Sequence, residues 1–388
     1  MAPASRVAVA LPVGSPRARV SVIAIGKAAP AMTVGALQRW SDRIVDVLVV
    51  TTDGTDTRAI ASDPRVEILR AGHPIPDRRS VRAAERCLAR ARALDQEEVG
   101  RRLLVLVSGG ASALVCAPSV GVRLRDKQAV TRAMLSSGAS IQEINVVRKH
   151  LSRIKGGGLA RAAREQRVIT LVLSDVIGGA IEDVGSGPAV SDLSTRSHAR
   201  QLLRRYAARF GDLPLVATGA AENVQRARIV AAPEDLAEVM ANELRARGIG
   251  TRVLPPSQAP ASELAREYVM LARQLRPGTA VVRVAEPAVV VSPSAGRGGR
   301  STHLATLVGR ELPPRATFLA AATDGVDGTS GTAGAIVDRQ RMDRMGEANI
   351  RRALERYDTG RLHINAGTAL PSRPSGHNLA DVHVLTMG

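Results

Sequence analysis

Residues 103–118 read LLVLVSGGASALVCAP: an apolar run breaks into Ser108-Gly109-Gly110-Ala111-Ser112 and then turns apolar again. A buried strand that ends in small residues and feeds a helix leaves backbone N–H groups free at the helix start, a ready cradle for an anion. The same device recurs along the chain, each time beside a charged residue. SVIAIGKAAP (21–30) carries Lys27, VITLVLSDVIGG (168–179) carries Asp175, and TFLAAATDGVDG (317–328) carries Asp324 and Asp327. Glycine loops, a lysine and aspartates at strand ends point to phosphate chemistry.

Working outward, apolar runs at 20–25, 44–51, 103–108, 168–174 and 228–231 alternate with stretches of helical period. Those stretches lie near 27–40, 77–95, 124–138, 143–164, 195–209 and 233–247. The alternation predicts an α/β fold with a parallel sheet, and the unbroken apolarity of the runs predicts strands covered on both faces. A second series begins after Pro255-Pro256-Ser257, with a helix near 261–275, strands at 280–284, 288–291 and 317–321, a helix at 301–310 and a closing strand at 382–386. A chain of 388 residues suits two domains, and the boundary falls near residue 245. The pieces at 292–299 and 371–376 read as loops.

In SIQEINVVRKHLSRIKGGGLA (140–160), Ile144, Val147, Leu151 and Ile154 share one face of a helix, with Asn145, Arg148, Ser152 and Lys155 in a polar stripe beside it. The helix is expected to run until Gly156-Gly157-Gly158.

The net charge of +18 invites a nucleic-acid reading, but the arginines are spread through helical segments, and three Tyr, two Phe and one Trp leave little to stack on bases. No nucleic-acid partner is expected. No uninterrupted apolar stretch reaches the roughly 18 residues of a membrane helix, and Pro12 and Pro16 interrupt the opening patch, which does not read as a secretory signal. Cys87 and Cys116 read as reduced, buried thiols of a cytoplasmic protein.

Taken together, the chain resembles the class II glycerate kinases, whose C-terminal part is the MOFRL domain. The resemblance runs from about Val20 to the end. It rests on AIGKAAPAM (24–32), VVTTDG (49–54), AGHPIPDRRS (71–80), LVSGGASALVCAP (106–118), INVVRKHLSRIKGGGLA (144–160), LSDVIGG (173–179), GSGPAVSDLST (185–195), GRGGR (296–300), TDGVDGTSGTAGAIVD (323–338) and SGHNLAD (375–381). It implies an N-terminal Rossmann-like doubly wound parallel sheet (1–245) and a C-terminal α/β domain of MOFRL type (246–388). It further implies a cytoplasmic enzyme, monomer or homodimer, that transfers the γ-phosphoryl of ATP with Mg²⁺ to D-glycerate.

Phosphoryl transfer asks the protein mainly for charge neutralisation and positioning, and the residues fit those roles. Lys27 reaches a phosphate or the substrate as a compact point charge. Asp175 orients or deprotonates the glycerate hydroxyl, or holds the metal. Ser108, Gly109, Gly110, Ala111 and Ser112 cradle the nucleotide phosphates, with Gly187 nearby. Arg148 and Lys155 take the glycerate carboxylate or phosphates, with Arg suited to a two-pronged grip. Arg300, at a helix start, stabilises the transferred group, and His73 lines the substrate. Asp324 and Asp327 bind metal or ribose, with Gly325 and Asn378 on the nucleotide side.

The chain departs from the family pattern in places. Gly179 stands where a carboxylate is usual, Val284-Ala285-Glu286-Pro287 keeps the Glu of a Gly-Gly-Glu turn without the glycines, and Ser301-Thr302-His303 follow GRGGR in place of Asn-Gln-Glu. Residues 372–378 replace a small Thr-Gly-rich loop. These changes suit a diverged relative that binds a nucleotide or small anion without catalysis. Some relatives carry a hydroxypyruvate reductase label. Hydride transfer would need a G-x-G-x-x-G turn after a strand, and GRGGRS (296–301) opens no such unit.

Overall fold

The computed structural model describes residues 2–12, 18–97, 101–291, 295–373, 375 and 378–388. Residues 292–294, inside an expected loop, and Pro374, Gly376 and His377, inside the altered terminal segment, lie outside the described residues. The chain divides into two compact units. One comprises Met1–Ser174 and Gly179–Ala231, the other Asp175–Gly178 and Ala232–Gly388. The change of unit therefore falls after Ala231, and the helix Pro233–Ala246 belongs wholly to the second unit.

The first unit holds β1 (Val20–Ile25), β2 (Ile44–Thr51), β3 (Val66–Arg70), β4 (Arg102–Val107), β5 (Val168–Leu173) and β6 (Val224–Ala231) in the order β3-β2-β1-β4-β5-β6. Every neighbouring pair is parallel. This is a doubly wound sheet whose strand order reverses between β1 and β4, the place where such sheets bind ligands beyond their carboxyl ends. β1 is buried along its whole length, as its unbroken apolarity requires. The core gathers Ile23, Ile25, Leu48, Val105 and Val107 against Leu88, Leu114 and Leu159. A second cluster joins Val130 and Met134 of the helix Leu124–Ser136 to Ile144 and Val147 of the helix Ile141–His150 and to Leu202 and Leu203.

The second unit holds β7 (Gly250–Val253), β8 (Thr279–Ala285), β9 (Ala316–Ala322), β10 (Thr332–Asp338), β11 (Ala369–Pro371) and β12 (Asp381–Met387) in the order β11-β10-β9-β12-β8-β7. Only β7 and β8 pair in parallel; the other neighbours are antiparallel. Its core packs Tyr268, Leu304, Phe318 and Leu385. Among the described residues no helix is long and apolar enough to cross a membrane.

The expected helix over 143–164 is broken. It ends at His150, Ser152 forms an isolated antiparallel bridge with Pro118, and a new short helix starts at Gly158. The apolar spacing of Leu151 and Ile154 is therefore met by turns that bury both residues, not by further helix. Ala288–Val291 is likewise not a strand; only Ala288 makes a bridge, to Pro260.

Candidate active site

In the first unit the tips of β1 and β4 lie side by side. The Ser108 amide donates to the Ile25 carbonyl at 2.9 Å, and the Lys27 amide donates to the Gly109 carbonyl at 2.9 Å. Ser108 Oγ accepts from the Ala28 amide at 3.1 Å. Gly26 allows this approach: its φ is +133°, and a Cβ there would stand 2.1 Å from Ser108 Oγ. Gly110 adopts the left-handed conformation at φ +85°, and a Cβ on it would lie 3.1 Å from the His73 ring and 3.4 Å from Lys27 Cγ. Lys27, His73 and the glycine loop thus share one corner at the reversal point of the sheet. Burial pushes His73 below its ordinary pKa, and the Lys27 charge adds to the effect.

The Ala111 amide turns back to the Ser108 carbonyl at 3.3 Å. The amides of Gly109, Gly110 and Ser112 find no acceptor among the described residues. The helix Ala111–Leu114 behind these amides is only one turn long.

Lys155 occupies a different role from the one expected. It is 2% exposed, and Nζ donates to the Ser112 carbonyl (2.9 Å), to Ser112 Oγ (2.9 Å) and to the Gly185 carbonyl (3.2 Å). All three N–H groups of its ammonium are thereby engaged. Burial drives its pKa well below the ordinary lysine value, with Lys127 and then Arg148 adding in the same direction. Lys155 is a strut beneath the loop. Ser112 Oγ also meets Ser186 Oγ at 3.2 Å, and Ser186 Oγ donates to Asn145 Oδ1 at 3.2 Å. Gly187, expected on the phosphate side, is buried, and its carbonyl accepts from the Gly157 amide at 2.8 Å. It holds the triple-glycine turn in place.

Beside Gly110 and Ser112 opens a cavity of about 500 Å³. Its lining includes the cations Arg148, Lys127, Arg132 and Lys155 together with Cys116, Pro74, Ile75 and Leu135. Among the described residues no carboxylate lines it. Lys127 and Cys116 were not among the expected site residues. The signal for Lys127 was legible: with Val130 and Met134 it falls on the buried stripe of its helix, where a lysine is rarely found.

In the second unit the site residues gather where β8 and β9 end and β12 begins, since Asp381 pairs with both Ala285 and Ala322. Arg300 opens the helix Arg300–Gly309, and its guanidinium reaches Asp381 at 3.4 Å and Glu286 at 3.8 Å. Asp381 is pushed up to about 7, chiefly by burial; Arg300 opposes this, and Asp327, Glu286 and Asp324 reinforce it. Asp381 and Glu286 are further additions to the expected set.

Asp327, anticipated as a metal or ribose ligand, caps the helix. One carboxylate oxygen accepts from the Ser301 amide at 2.9 Å and the other from the Thr302 amide at 2.9 Å, filling the anion position at that N-terminus with the protein's own charge. Asp324 Oδ1 accepts from the Val326 amide at 3.0 Å, and the Gly325 carbonyl accepts from Ser372 Oγ at 2.9 Å. Asn378 Oδ1 accepts from the Ala380 amide at 2.9 Å. Asp175 belongs to the four-residue piece Asp175–Gly178 of this unit, where the Gly178 amide donates to Glu234 Oε1 at 2.8 Å. Among the described residues no group of three or more His, Cys, Asp or Glu is arranged to hold a metal.

Comparison with known proteins follows the same division. Residues 3–214 match a family described as a domain of unknown function (DUF4147), and residues 279–381 match the MOFRL family. A D-glycerate 2-kinase of Thermotoga maritima is 32% identical over 94% of this chain and 89% of its own length. The chain belongs to the class II glycerate kinase family. A crystal structure of glycerate kinase from Thermotoga maritima superposes with a TM-score of 0.89 at 30% identity, covering 100% of this chain and 96% of that one. A protein of Agrobacterium vitis named as a putative hydroxypyruvate reductase is 35% identical over 96% of this chain and 88% of its own length.

Proposed function

We propose that this glycerate kinase homologue is an ATP-dependent glycerate 2-kinase, passing the γ-phosphoryl of ATP to the 2-hydroxyl of D-glycerate to give 2-phosphoglycerate and ADP in the cytoplasm. The observation that carries the reading is the corner at the sheet's reversal point: a lysine, a histidine and three open loop amides gathered by adjoining strand tips. The loop amides and Lys27 receive the phosphates, His73 borders the acceptor, and Arg148 takes the glycerate carboxylate. In the second unit, Arg300, steadied by Asp381 and Glu286, offsets charge on the transferred group. The 2-hydroxyl oxygen attacks phosphorus, the bond to the ADP oxygen breaks, and Asp175 receives the hydroxyl proton. Asp324, Gly325 and Asn378 are assigned to the nucleotide.

Magnesium keeps several waters and takes one or two carboxylates together with substrate phosphates, so a single aspartate meets its needs. Asp175 would supply that carboxylate. The ion would neutralise phosphate charge.

The reductase label borne by the Agrobacterium relative would ask for a dinucleotide site. The first strand-to-helix turn, Gly26-Lys27-Ala28-Ala29-Pro30, lacks the glycine fingerprint. The aspartate beyond β2, Asp53, is held by two hydrogen bonds from Arg79, at 2.7 and 3.0 Å. A coupled assay with ATP, Mg²⁺ and D-glycerate, resolving 2- from 3-phosphoglycerate, tests the proposal. Lys27→Ala and Asp175→Asn should each abolish turnover in a folded protein. Consumption of NADH with hydroxypyruvate and no need for ATP would overturn it.

A further inference from the structure

The cavity beside the glycine loop, at about 500 Å³, falls in the range of pockets that take small organic ligands, roughly 300–1,000 Å³. A three-carbon acid would leave much of it empty. Its lining mixes cations with apolar side chains: Arg148 and Lys127 are set inward, and the exposed Arg132 also borders it. The Arg148 side chain makes no hydrogen bond or ion pair among the described residues, while its neighbour Lys149 is paired with Asp192 at 3.2 Å. The fold thus neutralises one of two adjacent cations and leaves the other open. Lys127, 6% exposed, donates to the Leu151 carbonyl at 3.0 Å and has no other partner among the described residues, which leaves two N–H groups. Ile75 and Leu135, in the same lining, are 64% and 57% exposed, apolar surface that water covers at a cost.

We propose that Lys127 acts with Arg148 as the carboxylate anchor of the acceptor, and that the apolar lining residues Ile75 and Leu135 admit 2-hydroxy acids with an apolar substituent larger than that of glycerate. The proposal rests on the kinase reading only in taking the acceptor to be an acid. Burial already pushes Lys127 and Arg148 below their ordinary pKa values. A bound carboxylate would relieve that penalty by placing an opposite charge beside them.

The test is direct binding to the full chain without ATP, by calorimetry, of D-glycerate, 2-hydroxy-4-methylpentanoate and the uncharged control glycerol. Both acids should bind and glycerol should not. Lys127→Met and Arg148→Met should each weaken acid binding roughly tenfold or more, as expected for loss of a charge-assisted hydrogen bond. Arg148→Met removes a side chain with no protein partner, so its stability should match wild type even if Lys127→Met is less stable. Unchanged acid binding in both variants, or failure of the branched acid to bind, would overturn the proposal. Acid binding that needs both anchors, without phosphoryl transfer, would sink the kinase reading and leave this one standing.

Discussion

Replacing Gly26 by alanine probes the contact on which the loop corner depends. The added Cβ would lie 2.1 Å from Ser108 Oγ, 2.6 Å from the Ser108 carbonyl oxygen and 2.8 Å from its carbon. Two of those atoms are backbone, so no side-chain rotation relieves the clash. The φ of +133° is itself disfavoured for any residue with a Cβ. Backbone strain of about 1–3 kcal/mol and overpacking of about 1–3 kcal/mol act together, so a loss of about 3 kcal/mol is expected. For a unit of this size that corresponds to a drop in Tm of roughly 6–12 °C. Ser108 must retreat by about an ångström, loosening the Ser108–Ile25 and Lys27–Gly109 hydrogen bonds. Misplacement on that scale costs roughly 10²-fold in rate. Gly54, with nothing within 4 Å of a built Cβ, is the control: Gly54→Ala should be close to wild type. Thermal unfolding and the glycerate-dependent assay measure both effects. A Gly26→Ala protein with wild-type Tm and turnover would refute the close approach of the two strand tips.

Other outcomes follow from the same geometry. Asp381 is held near 7, far above an exposed aspartate, so the folded state retains a proton that the unfolded chain has released. Its contribution to stability is complete below the unfolded value and is lost as pH rises toward 7, by up to roughly 1.4 kcal/mol per pH unit. Urea unfolding between pH 4.5 and 8 should show that slope, and Asp381→Asn should flatten it; parallel curves would contradict the assignment. Asp327→Ala removes the acceptors of two helix-start amides and should cost about 1–2 kcal/mol with or without Mg²⁺ present, whereas a metal ligand would leave the apo protein unaffected. Cys87, pushed up to about 12 by burial, should resist alkylation at pH 8 in the native protein and react once it is unfolded.

The sheet of the first unit was legible because its strands are unbroken apolar runs, and β1 and β2 fall where those runs lie. β3 (Val66–Arg70) escaped notice because it is only half-buried and mixes Glu67 and Arg70 with its apolar residues. In the second unit β10 reads TAGAIVD, small residues without a strong pattern, and was missed for that reason. The polar stripe of 140–160 misled in an instructive way. Helical spacing placed Arg148 and Lys155 together, yet the chain between them turns and bridges. Both still border one cavity, but Lys155 arrives there with its donors engaged. Periodicity reports which face is buried; it does not report what a buried ammonium bonds to. Asp381 and Lys127 could be found only in part, because the value of each depends on neighbours brought from distant strands and turns.

The four residues Asp175–Gly178 leave the first unit at the end of β5 and count with the second before the chain returns. A protease nick or gene truncation after Ala231 would therefore not yield two self-sufficient halves. The downstream fragment would begin without Asp175 and without the Gly178 amide that Glu234 accepts. The upstream fragment would carry an orphaned insert in its middle. Attempts to trade one half for that of a relative would have to exchange this short stretch as well, which binds the histories of the two halves more tightly than a single linker would.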